Sequence, residues 1–432
     1  MKLLFVHQNM PGQYLHLVRY LASQPGHQIV FLTQRSDEVN IPGVTKIVYR
    51  PHRQPAAGIH HYLQDAEKHT LNAQAVYRAA MDLRSKGFVP DVMIGHNGWG
   101  EIWYLKDAFP SSPLLGYFEF FYNVHGADVG FDPEMGSITA DTGPRIRNKN
   151  AGNLIGMDVA DWGQCPTYWQ RSRYPAHFQA LLSVVHEGVM THALKPDPEA
   201  TLQIPGTDKV LKAGDEVVTY VARNLEPYRG FHQFMRSVPA ILQKRPDAQI
   251  VIVGGDGVSY GAPLPKGQTY KQRMLDELGD SFDASRVHFV GQLPYATFIR
   301  MLQISRAHVY LTYPFVLSWS MLEAMSVGCL VIGSNTAPVK EVIEHGVNGM
   351  IVDFFQPSEI ADRVVEALED RHAHDAIRAR ARQTVVERYD LLKVCLPAQI
   401  SLLTHVAGMR ISAHAQTPGL PPPQARREEH AQ

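Results

Sequence analysis

The sequence predicts an α/β protein of two doubly wound, parallel-sheet domains facing a central cleft. Three observations carry this. Short apolar, β-branched runs alternate with longer amphipathic stretches almost from end to end, the pattern of parallel strands joined by helical crossovers. The chain has 432 residues, enough for two separate cores. A Pro-, Asp- and Gly-rich stretch, "THALKPDPEATLQIPGTDKVLKAGDE" from Thr191 to Glu216, interrupts the alternation near the middle and precedes a fresh strand.

In the first half the strand-like runs are "KLLFVHQ", "QIVFLTQ", "DVMIGH", "PLLGYFEF" and "LLSVVHEG". The second half offers "EVVTYVARN", "QIVIVGG", "VHFVGQ", "AHVYLTY", "CLVIGS" and "GMIVDF". Runs apolar on both faces read as buried parallel strands. Between them, "GFHQFMRSVPAILQKRP" and "PSEIADRVVEALED" have helical periodicity. The expected division is a first domain over 1–195, a second over 205–385, a helical segment at 386–414 returning to the first domain, and a Pro-rich, charged, disordered tail at 415–432. An insertion from Asn123 to Asn150 is unusually long for a loop in a compact domain, which hints at function.

Composition narrows the function classes. With 41 basic and 42 acidic residues the formal net charge is -1, so no global attraction to nucleic acid or membrane is implied. Cys165, Cys329 and Cys395 are odd in number and far apart, against a disulfide framework or zinc cluster. The apolar run in "MKLLFVHQNMPG" is too short for a secretion signal, and no run is long enough to span a bilayer. A cytoplasmic protein, with peripheral membrane contact left open, is the expectation.

In open α/β sheets ligands collect where strands end and helices begin, so the informative residues are those directly after strands. In "SWSMLEAM", Glu323 stands alone among apolar and small residues. Two readings stand. Ser320 and Glu323 fit an S-x-x-E capping box; alternatively, helix-start amides at Trp319 and Ser320 meet a phosphate while Glu323 accepts the hydroxyls of a ribose. In "YVARNLEPYRGF", Arg223 and Arg229 could grip diphosphate oxygens or be ordinary surface arginines. "VIVGGDGVSYG" lacks the spacing of a dinucleotide fingerprint, and its glycines, Gly254 included, read as a tight turn that lets backbone approach a ligand. Gly12 in "HQNMPGQY" reads the same way or as an ordinary turn. His96 in "GHNGWGE" ends a strand; Glu119 lies within the apolar strand "YFEFFYNVH", with His125 beyond it. A carboxylate in a buried strand points to a functional or paired group. Asp132-Pro-Glu134 and Asp197-Pro-Glu199 only superficially resemble a D-x-D metal motif, and no histidine spacing suggests a site, so no metal and no cofactor are expected.

Together these residues resemble the retaining glycosyltransferases of family 4, the group 1 transferases with the two-domain GT-B fold, and within them a bacterial subgroup whose first domain begins with an "NMPGQY" type of stretch. "VARNLEPYRG" is similar to the family's GRLxxxKG pattern, "AQIVIVGGDG" to LVIVGDG, "VHFVGQLPY" to VxFLGxVxx, "WSMLEAMSVGCLVIGS" to PxLEAMAxGxPVVAS, and "EVIEHGVNGMIVD" to EVIxxGxNGLLV. The resemblance implies that Arg223 and Arg229 neutralise the donor diphosphate, that Glu323 binds ribose, that Ser318, Trp319 and Ser320 meet phosphate, and that Gln292 and Leu293 border the base. Phe315 stands where the family commonly has an acid for the donor sugar. Glu119 stands where a catalytic-site His is often found, leaving Glu119, His96 and His125 open for that role. The implied activity is transfer of a sugar from a nucleotide-diphosphate donor to a carbohydrate or lipid-linked acceptor, in bacterial polysaccharide or glycoconjugate synthesis. A sugar-nucleotide epimerase on the same plan and a non-catalytic sugar-binding protein are the alternatives.

Overall fold

A computed structural model describes residues 1–370 and 372–409. Residues 410–432, which include the expected tail, lie outside the described residues. The first sheet contains β1 (Lys2–Val6), β2 (Gln28–Thr33), β3 (Val44–Val48), β4 (Val92–His96), β5 (Leu114–Tyr117), β6 (Trp162–Cys165) and β7 (Leu182–Val184), all parallel, in the order β3-β2-β1-β4-β5-β6-β7. A hairpin, β8 (Thr201–Gln203) and β9 (Val210–Lys212), follows. The second sheet holds β10 (Val217–Asn224), β11 (Gln249–Gly255), β12 (Val287–Gly291), β13 (Ala307–Tyr310), β14 (Leu330–Ser334) and β15 (Met350–Val352), again parallel, in the order β12-β11-β10-β13-β14-β15.

The central strands are apolar on both faces because each sheet is covered twice. On β1, Leu3 and Phe5 pack with Leu17, Leu21 and Leu402, while Leu4 and Val6 pack with Val76, Ile102 and Trp103 on the other side. On β11, Ile250 and Ile252 join one core and Val251 and Val253 the other. The final helix, Leu396–Ala407, completes the first lobe rather than the second, since Leu396, Leu402, Leu403 and Val406 share a core with β1.

Three expectations change. The Thr191–Glu216 stretch is not a bare linker: the β8–β9 hairpin buries Leu202, Ile204 and Leu211 in the second lobe's core. Its short alternating strands escape notice because each shows a single buried residue between exposed ones. Glu119 is not inside a strand, since β5 ends at Tyr117 and leaves it just past the edge. The Asn123–Asn150 insertion carries a helix, Thr142–Lys149, and its preceding segment packs on the second lobe.

In each sheet the chain winds outward on one side and then returns to the other, creating a switch point between β1 and β4 and another between β10 and β13. Ligands of open α/β sheets bind at such points, beyond the carboxyl ends of the strands. His7 and His96 stand at the first; Arg223 and the segment after Tyr310 stand at the second.

Candidate active site

A chain of oriented hydrogen bonds sets the floor on the first lobe. The Asn9 N–H donates to His7 Nδ1 at 2.9 Å, so His7 carries its proton on Nε2 and donates to Gln13 Oε1 at 2.8 Å. Gln13 Nε2 then donates to Glu119 Oε1 at 3.3 Å. Burial, with His96 alongside, pushes the His7 pKa down to about 3 against the Gln13 bond, so the ring is neutral. Gly12 explains itself here: its φ is +53°, and a Cβ would fall 2.5 Å from His7 Nε2. Its freedom serves the protein's own imidazole.

His96 is 1% exposed and stacks on Trp99 and Tyr117, with ring centroids 4.5 and 5.1 Å away. Its Nδ1 accepts the Gly98 N–H at 2.9 Å, which puts the proton on Nε2, 3.7 Å from Glu119 Oε2 and beyond hydrogen-bond distance. Burial raises the Glu119 pKa, but His96, Gln13 and the Arg223 guanidinium of the opposite lobe outweigh it and hold the carboxyl below its usual range. One-third of the Glu119 side chain remains open to solvent. It is therefore an ionised cleft-lining acid, braced from behind. His125 is exposed on the insertion, and among the described residues no hydrogen bond ties it to His96 or Glu119.

On the second lobe Arg229 is only 7% exposed. Its Nη1 donates to Thr312 Oγ1 at 2.7 Å, the Val316 carbonyl at 2.9 Å and Tyr310 Oη at 3.2 Å, and the guanidinium lies over the Tyr260 ring. Among the described residues it has no carboxylate partner. A cation held by neutral groups alone is costly in a protein interior. Arg223 is exposed at the end of β10 and also lacks an acidic partner within ion-pair distance among the described residues.

The helix Trp319–Ser326 removes the capping-box reading of Glu323. Its N-cap is Ser318, whose hydroxyl accepts the Ser320 N–H at 3.4 Å and lies 2.9 Å from Ser320 Oγ. Glu323 lies beyond the first turn and accepts the Tyr295 hydroxyl at 2.6 Å, so it caps nothing. Burial raises its pKa against that hydrogen bond. The Ser320 amide is thus already engaged, contrary to expectation, whereas Trp319 N–H has no hydrogen-bond acceptor among the described residues. The Trp319 indole donates to Glu187 Oε2 of the first lobe at 2.9 Å.

The glycine-rich loop after β11 is also already filled. Glu226 accepts the amides of Ser259, Tyr260 and Gly261, at 3.0, 3.2 and 2.9 Å. A Cβ on Gly254 would fall 2.6 Å from Leu225 Cδ2, so Gly254 permits internal packing, not ligand approach. Gln292 borders this loop, its Nε2 3.4 Å from where a Gly255 Cβ would stand; it is exposed and Leu293 half-buried. Phe315 is buried in an aromatic wall, 4.6 Å from Phe120 of the first lobe, 5.0 Å from Tyr260 and 5.5 Å from Tyr228.

The insertion latches the lobes together. The Tyr228 hydroxyl donates to Asp128 at 2.8 Å and the Tyr313 hydroxyl to Asp132 at 2.7 Å. His232 Nε2 lies 2.9 Å from Asp132, and Arg236 binds both oxygens of Glu134 at 2.6 and 2.9 Å. Asp132, Glu134 and His232 bring ligand atoms within 4.8 Å of one another. Asp132 and Glu134 already accept hydrogen bonds from Tyr313 and Arg236, and the Arg236 charge beside Glu134 opposes a cation, so the cluster fits a latch better than a metal centre. Near the other edge of the interface, Glu341 of the second lobe accepts the amides of Tyr168 and Trp169 at 2.9 and 2.7 Å.

Comparison with known proteins decides what this two-lobed arrangement is. Residues 25–194 match the glycosyl transferase family 4 group and residues 207–384 the glycosyl transferases group 1. The chain belongs to the group 1 glycosyltransferases. This glycosyltransferase is 25% identical, over 301 residues, to a GDP-mannose-dependent alpha-(1-6)-phosphatidylinositol monomannoside mannosyltransferase of Mycobacterium tuberculosis, an overlap of 65% of this chain and 68% of the relative. Among solved structures it is similar to Anabaena HepE in complex with UDP and glucose, at a TM-score of 0.64 and 16% identity, covering 94% of this chain and 99% of that one. Sucrose-phosphate synthase from Thermosynechococcus elongatus aligns at a TM-score of 0.69 and 15% identity, over 94% and 98% of the two chains. The fold is GT-B.

Sequence reasoning about the glycosyltransferase missed His7, Gln13, Glu187 and Glu226. His7 and Gln13 carried a usable signal, since both flank the turn at Gly12 directly after β1. Glu187 and Glu226 did not: their roles depend on Trp319 and on the 259–261 amides, which only the folded chain brings near.

Proposed function

We propose that the enzyme transfers a sugar, with retention of anomeric configuration, from a nucleoside diphosphate donor to an acceptor hydroxyl. The observation that carries this is Arg229, a buried cation without a carboxylate partner among the described residues, in the same post-β10 segment as Arg223, which faces the ionised Glu119 of the first lobe. As the bond from the anomeric carbon to the diphosphate breaks, negative charge grows on the leaving phosphates. Arg223, Arg229 and the Trp319 amide would stabilise it, and stabilisation aimed at charge that develops in the transition state is what accelerates the step. These groups supply the positive charge themselves, so the proposal needs no metal. Glu323 would accept the ribose hydroxyls. Glu119, oriented by Gln13 and facing the His96 Nε2 proton, would stand on the sugar side.

The mycobacterial relative's name supports a lipid-linked acceptor and a glycoconjugate product. No helix among the described residues is long and apolar enough to cross a membrane. A lipid-linked acceptor would, on this proposal, be met at the cytoplasmic membrane surface. The test is a thermal-shift panel of nucleoside diphosphates and their sugars. A ligand at about 100 times its Kd stabilises by roughly 2.7 kcal/mol. One base should stand out, and Arg229→Ala should abolish its effect. Absence of any shift across the panel would reject the reading; conversion of donor to an epimer without acceptor would replace it with epimerisation.

A further inference from the structure

The first lobe has a second polar concavity that the donor reading leaves unused. It is a pocket of about 200 Å³ at the carboxyl ends of β2 and β3, lined by Gln34, Tyr49, Arg50, Arg53, Lys68 and Asn72 among others. This volume is below the roughly 300–1,000 Å³ of a pocket for a whole drug-sized ligand, so it suits one chemical group of a larger molecule. The floor is prearranged: Gln34 Nε2 donates to Asn72 Oδ1 at 2.9 Å and to Tyr49 Oη at 3.3 Å.

The charge balance is one-sided. Glu67 pairs with Arg53 at 2.6 Å and accepts the Ala56 amide at 2.8 Å, which fixes the rim and cancels one cation. Asp65 acts on His69 and Lys149, and Glu101 lies beneath Tyr49, buried and bonded to its hydroxyl. Arg50 and Lys68 have no acidic partner within ion-pair distance among the described residues. Two like charges on one small pocket repel, and a guanidinium beside an ammonium is the usual receptor for phosphate oxygens.

The pocket is tied to the reacting side of the cleft. Asn72 Nδ2 donates to the Trp99 carbonyl at 3.0 Å, and the Trp99 ring stacks on His96. The carboxyl ends of β2 and β3 share a sheet edge with those of β1 and β4, which bear His7 and His96. The donor cations Arg223 and Arg229 belong to the other lobe. We infer that the Arg50–Lys68 pocket is an acceptor subsite for a phosphate ester, so that the enzyme glycosylates a phosphate-bearing acceptor held on its first lobe. This inference rests on the transferase reading above.

The experiment uses ligand-free enzyme and sn-glycerol 3-phosphate as probe, titrated calorimetrically at fixed ionic strength because exposed charges are screened by salt. Wild type should bind the probe, the double variant Arg50→Ala/Lys68→Ala should bind it at least tenfold more weakly, and Arg229→Ala should bind it as wild type does. The double variant should keep the nucleoside diphosphate shift of wild type, which separates this site from the donor site. A parallel flotation compares phosphatidylcholine vesicles with vesicles containing phosphatidylinositol. Flotation that depends on Arg50 and Lys68 identifies a lipid headgroup; dependence seen only with glycerol phosphate identifies a soluble ester. Equal binding by wild type and the double variant, loss of probe binding in Arg229→Ala alone, or no binding of either probe overturns the subsite.

Discussion

Glu323→Gln separates a ligand-binding carboxylate from a structural one. The substitution keeps the size and an acceptor oxygen but removes the charge. Its structural cost is limited to the hydrogen bond from Tyr295, at 2.6 Å from a tyrosine that is 56% exposed. A partly exposed bond of this kind is worth about 1 kcal/mol or less, and the amide retains part of it. The melting temperature should fall by no more than about 4 °C. Loss of a charged acceptor for ribose hydroxyls should instead cost about 1.5–3 kcal/mol of binding, roughly ten- to hundredfold in Kd. The assay is calorimetric titration of the preferred nucleoside diphosphate and its 2′-deoxy analogue. Wild type should discriminate between the two and the variant should not. Unchanged nucleotide affinity with a lowered melting temperature would refute the assignment and return Glu323 to a packing role.

Arg223→Ala should cut turnover at least tenfold with little effect on folding, because the residue is exposed; Arg229→Ala should cut it further and also lower the melting temperature, since it strips three hydrogen bonds from the 310–316 segment. Steady-state rates beside thermal melts check both. Glu134→Ala should cost about 0.5 kcal/mol, as half-exposed ion pairs do, yet speed proteolytic cleavage in the insertion; an unchanged cleavage rate would discount the latch. The pH dependence has a worked sign. His7 and His308 are pushed to about 3 and His69 to about 4, chiefly by burial, so the unfolded chain takes up protons first and stability falls as pH drops below 6.5. Glu101 is pushed up to about 8 by burial, against its Tyr49 bond, and works in the opposite sense, losing stability as pH rises from 4.5 through 8. From pH 7 to 5.5 the three histidines remove about 4 kcal/mol and Glu101 returns about 2. Denaturant melts of Glu101→Gln should therefore show a loss over that interval larger than that of wild type by about 2 kcal/mol.

The sequence reveals the buried strands because continuous apolar runs leave little choice: all six strands of the second sheet lie in runs legible as such. What it hides has physical causes. β3 is a half-exposed edge strand, β6 is only "WGQC", and the β8–β9 hairpin shows one buried residue per strand. The segment at Glu323 is ambiguous because two serines two residues apart can each serve as N-cap; the hydrogen bond from the Ser320 amide to the Ser318 hydroxyl decides between them. Glycines mislead in the same way. Gly12 and Gly254 are required by contacts with His7 and Leu225, and local sequence does not distinguish such a neighbour from a ligand.

The distribution of charge between the lobes has a mechanistic consequence. The candidate cations, Arg223 and Arg229, belong to the second lobe, while Glu119 and the imidazole that faces it belong to the first. The proposed chemistry sets the second lobe's cations against the first lobe's Glu119, so it needs the lobes to meet. Among the polar contacts that bring them together are the Asp128–Asp132–Glu134 latch at the insertion, Glu341 on the Tyr168 and Trp169 amides, and Glu187 on Trp319. The last of these is placed differently from the others. Trp319 opens the helix whose amide would meet phosphate, so its indole reports the closure of the first lobe directly to the proposed diphosphate site. Breaking it would remove one inter-lobe contact at the proposed donor end of the cleft while the contacts at the insertion remained.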